Sequence, residues 1–129
     1  MLGRSTTCNV SGYNREVIHQ TRVYPLERRT LIANFNGAIE PARTIVSAQW
    51  DIDSPFAVNM SDAAIAADQR STSVILSCGW AGDNMLRVIA TFDDGSQMAQ
   101  QFYVRCLWAG WFSDVSPANG ASRLTVTAP

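Results

Sequence analysis

The chain has 129 residues, 47% of them apolar, which is the length and composition of one globular domain with a normal core and extensions at its ends. Ten basic against eleven acidic residues leave a net charge of −1, so the chain lacks the basic footprint that nucleic acid or an anionic membrane surface selects, and neither partner is expected. All ten basic residues are arginine, which reflects either codon usage or a preference for planar guanidinium forks where subunit surfaces meet.

The opening run MLGRSTTCNVSG has no apolar stretch of the kind an export signal carries, and no apolar run approaches the roughly 18 residues of a bilayer span. Asn9-Val10-Ser11 and Asn59-Met60-Ser61 match the glycosylation sequon, and without an export signal they read as coincidence. Cys8, Cys78 and Cys106 form an odd set with no C-x-x-C pair and no neighbouring histidines. Neither a disulfide framework nor a zinc site is therefore expected, and free thiols suit a reducing compartment.

Residues 17–24 (VIHQTRVY) alternate weakly before Pro25. They form either an edge strand of the chain's own sheet or an arm that adds to a neighbour's sheet, with Val17, Val23 and Tyr24 as its partner contacts. Residues 29–35 (RTLIANF) offer Leu31, Ala33 and Phe35 as one strand face. Over 44–52, Val46, Ala48, Trp50 and Ile52 alternate with Ile45, Ser47, Gln49 and Asp51, the period of two that a half-buried strand requires. Asp53-Ser54-Pro55 breaks that strand, and Phe56, Val58 and Met60 resume it briefly. The alanine-rich stretch 61–70 (SDAAIAADQR) is read as a crossing between sheets, with Ser61 able to cap a turn of helix too short to stand alone.

Residues 71–78 place Thr72, Val74, Leu76 and Cys78 on one face, and residues 79–84 form a loop with two glycines that carries Trp80. Leu86, Val88, Ala90 and Phe92 line the next strand, and Asp93-Asp94-Gly95 supplies a hairpin turn where positive φ is needed. The return strand, 97–106, puts Met98, Gln100, Phe102, Val104 and Cys106 on one face, with Gln101, Tyr103 and Arg105 opposite. After it, Leu107, Trp108, Trp111 and Phe112 form an apolar cluster outside the alternation, which either folds under the domain as a lid or anchors in another subunit. A short alternating segment, 123–127, ends the chain.

Turns every 8 to 12 residues or so between such strands predict an all-β fold, an immunoglobulin-like antiparallel β-sandwich over 29–106. Residues 1–28 are then an N-terminal arm and 107–129 a C-terminal extension. The expected core is Trp50, Val46, Val74, Leu76, Leu86, Val88, Phe92, Phe102 and Val104.

The segments TLIANF, RTIVSAQWDI, STSVILSCGWAGDN and LRVIATFDDGSQMAQQFYVRC, in this order and spacing, resemble the immunoglobulin-like fibre-tail adaptor proteins of tailed phages. The likeness covers about 75 of the 129 residues and leaves out the first 28 and the last 23. It implies a structural protein of the virion, assembled in the host cytoplasm as a homo-oligomer on the tail or neck, that connects a fibre or other appendage to the tail. Its partners would be other virion proteins: tail or neck, fibre, or capsid subunits. A capsid decoration protein is the alternative in the same setting.

Chemistry points away from an enzyme. His19 is the only histidine, so no second one completes a triad or a zinc cluster, and it reads as a solvent-facing strand residue. No phosphate-cradling glycine motif occurs, and no cofactor is expected. Asp51, Asp53, Asp93 and Asp94 lie near expected turns, where calcium is conceivable but solvated turn carboxylates are the simpler reading. No catalytic or metal-binding residue is assigned. Trp80, in its loop, is the partner contact that keeps a third reading open, a glycan-binding module for host attachment.

Overall fold

The computed structural model describes residues 5–10, 19–23, 27–53, 58–78, 82–106 and 122–128. Among them are nine strands and no helix: β1 (Ser5–Asn9), β2 (His19–Val23), β3 (Arg28–Asn34), β4 (Ile45–Ile52), β5 (Val58–Ile65), β6 (Ser71–Cys78), β7 (Gly82–Phe92), β8 (Gln97–Cys106) and β9 (Arg123–Thr127). They form a four-stranded sheet in the order β1-β3-β6-β5 and a five-stranded sheet in the order β2-β8-β7-β4-β9. One apolar cluster joins the sheets, with Leu31, Val74 and Leu76 from the first meeting Trp50, Val88 and Phe102 from the second. The fold is an all-β sandwich.

The six strands β3 to β8 pair antiparallel within each sheet, as β3-β6-β5 and β8-β7-β4. That is the order of strands B-E-D and G-F-C in an immunoglobulin sandwich. The N-terminal strands differ: β1 pairs parallel with β3, and β2 parallel with β8, so both sheets are mixed. Of the two readings of residues 17–24, the described part, 19–23, follows the edge strand in the chain's own sheet. The polar segment STTCN, which carried no strand pattern, is β1, held by a five-residue register against β3 and by Cys8, which is buried.

Every expected core residue is buried except Val46, which is 38% exposed. The reason is a bulge: the β4–β7 register shifts between Ile45 and Ser47, so Ile45 turns inward and Val46 outward. A single inserted residue reverses the facing of everything on one side of it. Trp50 is fully buried, stacks on Phe102 with centroids 6.0 Å apart, and donates its indole N–H to Thr72 Oγ1 at 3.3 Å in the opposite sheet. Thr72 in turn donates to the carbonyl of Ala64 at 2.7 Å, so the polar tip of the largest core side chain is satisfied by a relay across the sandwich.

Two further expectations are corrected. The stretch 61–65 continues β5 rather than crossing between sheets or capping a helix. Its register against β6 shifts between Ser61 and Ala64, with Asp62 at φ 52° absorbing the extra residue. The reversal comes later, at residues 66–70, where Gln69 takes φ 57°. Cys78 and Cys106 are not free thiols but a disulfide, their Cα atoms 5.8 Å apart, tying β6 in one sheet to β8 in the other. Cysteine spacing carries no information about proximity across a sandwich. The hairpin turn does follow expectation: Gly95 has φ 86°, and Phe92 and Ser96 close the turn with a 2.8 Å backbone hydrogen bond.

Candidate interaction surface

The register of the five-stranded sheet decides which charges meet on its outer face. Asp51 on β4 lies directly opposite Arg87 on β7 and, on its other side, opposite Arg123 on β9. Arg123 Nε donates to one carboxylate oxygen at 2.7 Å and Arg87 Nη2 to the other at 2.9 Å, while the Gln49 amide adds a third donor at 3.1 Å. Burial alone would raise this carboxyl, but the hydrogen bonds from Arg123, Arg87 and Gln49 and the charge of Arg123 together hold it below the usual carboxylate range. The result is one carboxylate shared by two guanidinium groups that stitches the edge strand β9 onto β4.

A second cross-strand pair, Asp83 on β7 with Arg105 on β8, sits on the same face, with Arg105 Nε 3.0 Å from the carboxylate. The hydrogen bond from Arg105 lowers the Asp83 carboxyl. Tyr103, 42% exposed, lies on the same strand face, opposite Met85. A shallow cavity of about 280 Å³ opens nearby, lined by Asp51, Asp53, Met85, Arg87 and Gln101 among others. Both of its carboxylates are engaged: Asp51 with Arg87, and Asp53 Oδ1 with the Met85 backbone N–H at 3.0 Å.

The remaining carboxylates considered for calcium are also spoken for. Arg43 Nη1 bridges Asp93 at 3.4 Å and Asp94 at 3.3 Å, and Asp94 accepts from Ser96, whose hydroxyl and backbone N–H lower its carboxyl. Among the described residues no group of three or more His, Cys, Asp and Glu side chains is placed to hold a metal. At the same end of the sandwich, Arg70 acts as an internal cation. Its guanidinium donates to the carbonyls of Asn36, Ile39, Glu40, Pro41 and Arg43 at 2.9 to 3.4 Å and to Asn36 Oδ1 at 2.5 Å. The loop between β3 and β4 is wound around it. The fork geometry of arginine makes this possible, and a lysine ammonium cannot reach so many acceptors.

Of the expected partner contacts, Val23 is fully buried in the chain's own core, because β2 is paired with β8 and turns Val23 inward. Val17, Tyr24, Trp80, Leu107, Trp108, Trp111 and Phe112 lie outside the described residues. The residues that form the observed surface, Asp51, Arg87, Arg105 and Arg123, were not singled out from sequence as a group. Only the all-arginine basic set hinted at them.

No family model and no curated protein matches the chain. Among solved structures it is similar to a cysteine protease inhibitor from Entamoeba histolytica, at 11% identity over 80% of this chain and 97% of that one, with a TM-score of 0.44. It is also similar to amebosin, at 9% identity over 81% of this chain and 98% of that one, with a TM-score of 0.38. At these values the likeness says nothing about activity.

Proposed function

We propose that the chain is a structural protein of a tailed-phage virion that assembles in several copies on the tail or neck and joins a fibre or other appendage to it, without catalysing a reaction. The observation that carries this reading is where the phage-like segments fall. TLIANF lies on β3 and the residue after it, RTIVSAQWDI ends in β4, STSVILSCGWAGDN opens as β6, and LRVIATFDDGSQMAQQFYVRC is the β7–β8 hairpin. The resemblance therefore follows the paired central strands of both sheets. A rigid sandwich of this kind suits a spacer between subunits. The Cys78–Cys106 bond is also in keeping with a particle that ends up in an oxidising medium.

Quantitative mass spectrometry of purified particles that encode this chain tests the reading. From a few to about a dozen copies per virion is expected of a tail or neck component. Hundreds of copies would move the protein to the capsid, as a decoration subunit. Its absence from particles would sink the proposal.

A further inference from the structure

Four strands bound the two sheets, β1 and β5 in one and β2 and β9 in the other. Exposed edges recruit further strands unless something blunts them. The bulge at Asp62 blunts β5, because it interrupts the regular spacing of donors and acceptors. β9 has no such interruption: Arg123 to Thr127 pair with β4 in five consecutive positions. At its two ends, the Ile52 N–H donates to the Ser122 carbonyl and the Ala128 N–H to the Val46 carbonyl, both at 2.9 Å. In an antiparallel ladder the N–H and C=O of one residue point to the same side, and that side alternates along the strand. Residues 122, 124, 126 and 128 therefore turn their backbone groups toward β4. Arg123, Thr125 and Thr127 turn theirs away from it; no described strand hydrogen-bonds to that side, and β5 of the facing sheet lies beside β9 across the sandwich.

Strand direction names the partner. β2 runs parallel to β8, and the pairings β8–β7, β7–β4 and β4–β9 are each antiparallel. Three reversals leave β9 opposed to β2. A second copy displaced sideways in the plane of the sheet thus brings its β2 antiparallel to the first copy's β9, and both strands have five residues. The inward side chains agree as well. Leu124 and Val126 are only half-buried at this margin, and Thr21 and Val23 are the inward residues of β2. Matching the inward rows sets Val23 opposite Leu124 and Thr21 opposite Val126, and places Arg22 opposite the Thr125 hydroxyl rather than opposite Arg123.

We infer that the outer side of β9 is a docking edge for β2 of a second copy of this chain, so that the five-stranded sheet continues from one subunit into the next. The contact is heterologous: every subunit added leaves one β9 and one β2 open, which generates rings when the rotation closes and open arrays when it does not. This deepens the proposed assembly role, on which its biological setting rests, by naming the contact between copies. The outward-turned backbone groups supply the affinity and the inward rows the register.

The test uses the purified full-length chain. In sedimentation across concentrations up to about 1 mM, where weak contacts become populated, the wild-type mass rises above that of a monomer. Thr125→Pro removes one outward N–H and none of the bonds to β4, and proline is tolerated on an edge. It remains monomeric with an unchanged melting curve. Because it still offers β2, adding it to wild type shortens the assemblies in proportion to its fraction, as a chain terminator does. Amide exchange at Arg123, Thr125 and Thr127 slows about tenfold or more on association, while Leu124 and Val126 are protected in both states. A wild type that stays monomeric throughout, a Thr125→Pro variant that assembles normally, or outward amides that exchange equally fast in both states overturns the inference. Should the variant not fold, the wild-type exchange pattern decides alone. Absence of the chain from particles would remove the virion reading without affecting this result.

Discussion

Strands β3 to β8 and the strands β1, β2 and β9 are held by different means. The six strands β3 to β8, of which β5 is itself an edge, supply most of the core, with Leu31, Trp50, Val58, Leu76, Val88 and Phe102 fully buried, and their alternation selects one register except at the bulges in β4 and β5. The three outer strands are five residues each, and each pairs with a single neighbour. They rely on a few anchors: Cys8 for β1, Thr21 and Val23 for β2, and for β9 the half-buried Leu124 and Val126 with the Arg123–Asp51 pair. Short, singly paired strands are where sub-global opening concentrates and where another chain can add. The centre thus provides rigidity, and the margins are where the proposed contact between copies falls.

Substitutions in the centre sharpen this contrast most. Trp50→Ala removes a fully buried ring, its stack on Phe102 and the tie to Thr72, and a loss of about 3–5 kcal/mol is expected in denaturant unfolding. A loss near zero would mean that the two sheets do not close over this residue. The disulfide closes a loop of 28 residues between the sheets, so Cys78→Ser with Cys106→Ser is expected to cost roughly 3–4 kcal/mol. Reduction of the wild type should lower its melting point to match, and alkylation without reduction should label neither residue.

Smaller effects probe single contacts. Arg70→Lys keeps the charge but forfeits most of the carbonyl contacts, and a cost of about 1–2 kcal/mol is expected, with faster amide exchange confined to residues 36–43. Asp51→Asn is expected to cost up to about 1 kcal/mol and to raise exchange in β9 while leaving β7 protected. Asp51 also has a pH signature. Its carboxyl is lowered in the folded state, so its contribution is complete above the unfolded value of about 3.9 and is lost as pH falls through the lower folded value. Wild-type melting points should therefore fall below about pH 4 more steeply than those of Asp51→Asn, and parallel acid limbs would show that the carboxylate adds nothing. Val46→Thr, on the outward side of the bulge, should change stability by no more than about 0.5 kcal/mol. A large loss there would restore Val46 to the core.

The central strands were legible before folding because alternation is a local property. Trp50, Val74, Leu76, Leu86, Val88, Phe92, Phe102 and Val104 face inward as their spacing requires. The Asp-Gly turn at 94–95 was legible for the same reason. The margins were not. STTCN carries one apolar anchor in five residues, too few to establish a period, and the alanines at 63, 64, 66 and 67 suggest a turn of helix until pairing of residues up to 65 with β6 overrides that preference. Of the candidate surface, sequence offered only an unusual arginine content. The partners Asp51–Arg123 and Asp83–Arg105 are 72 and 22 residues apart, and register alone brings them together.

By itself, then, the sequence determined an all-β chain, the identity of its central strands and nearly all of its core, since a period of two and the conformational freedom of glycine act over a few residues. Tertiary structure decided the rest. It determined that a bulge turns Val46 out, that Cys78 and Cys106 meet across the sheets, that residues 5–9 and 19–23 complete the chain's own sheets, and that β9, among the described strands, pairs with β4 alone. Each of these depends on which distant strand lies alongside, and only closure of the whole sandwich determines that.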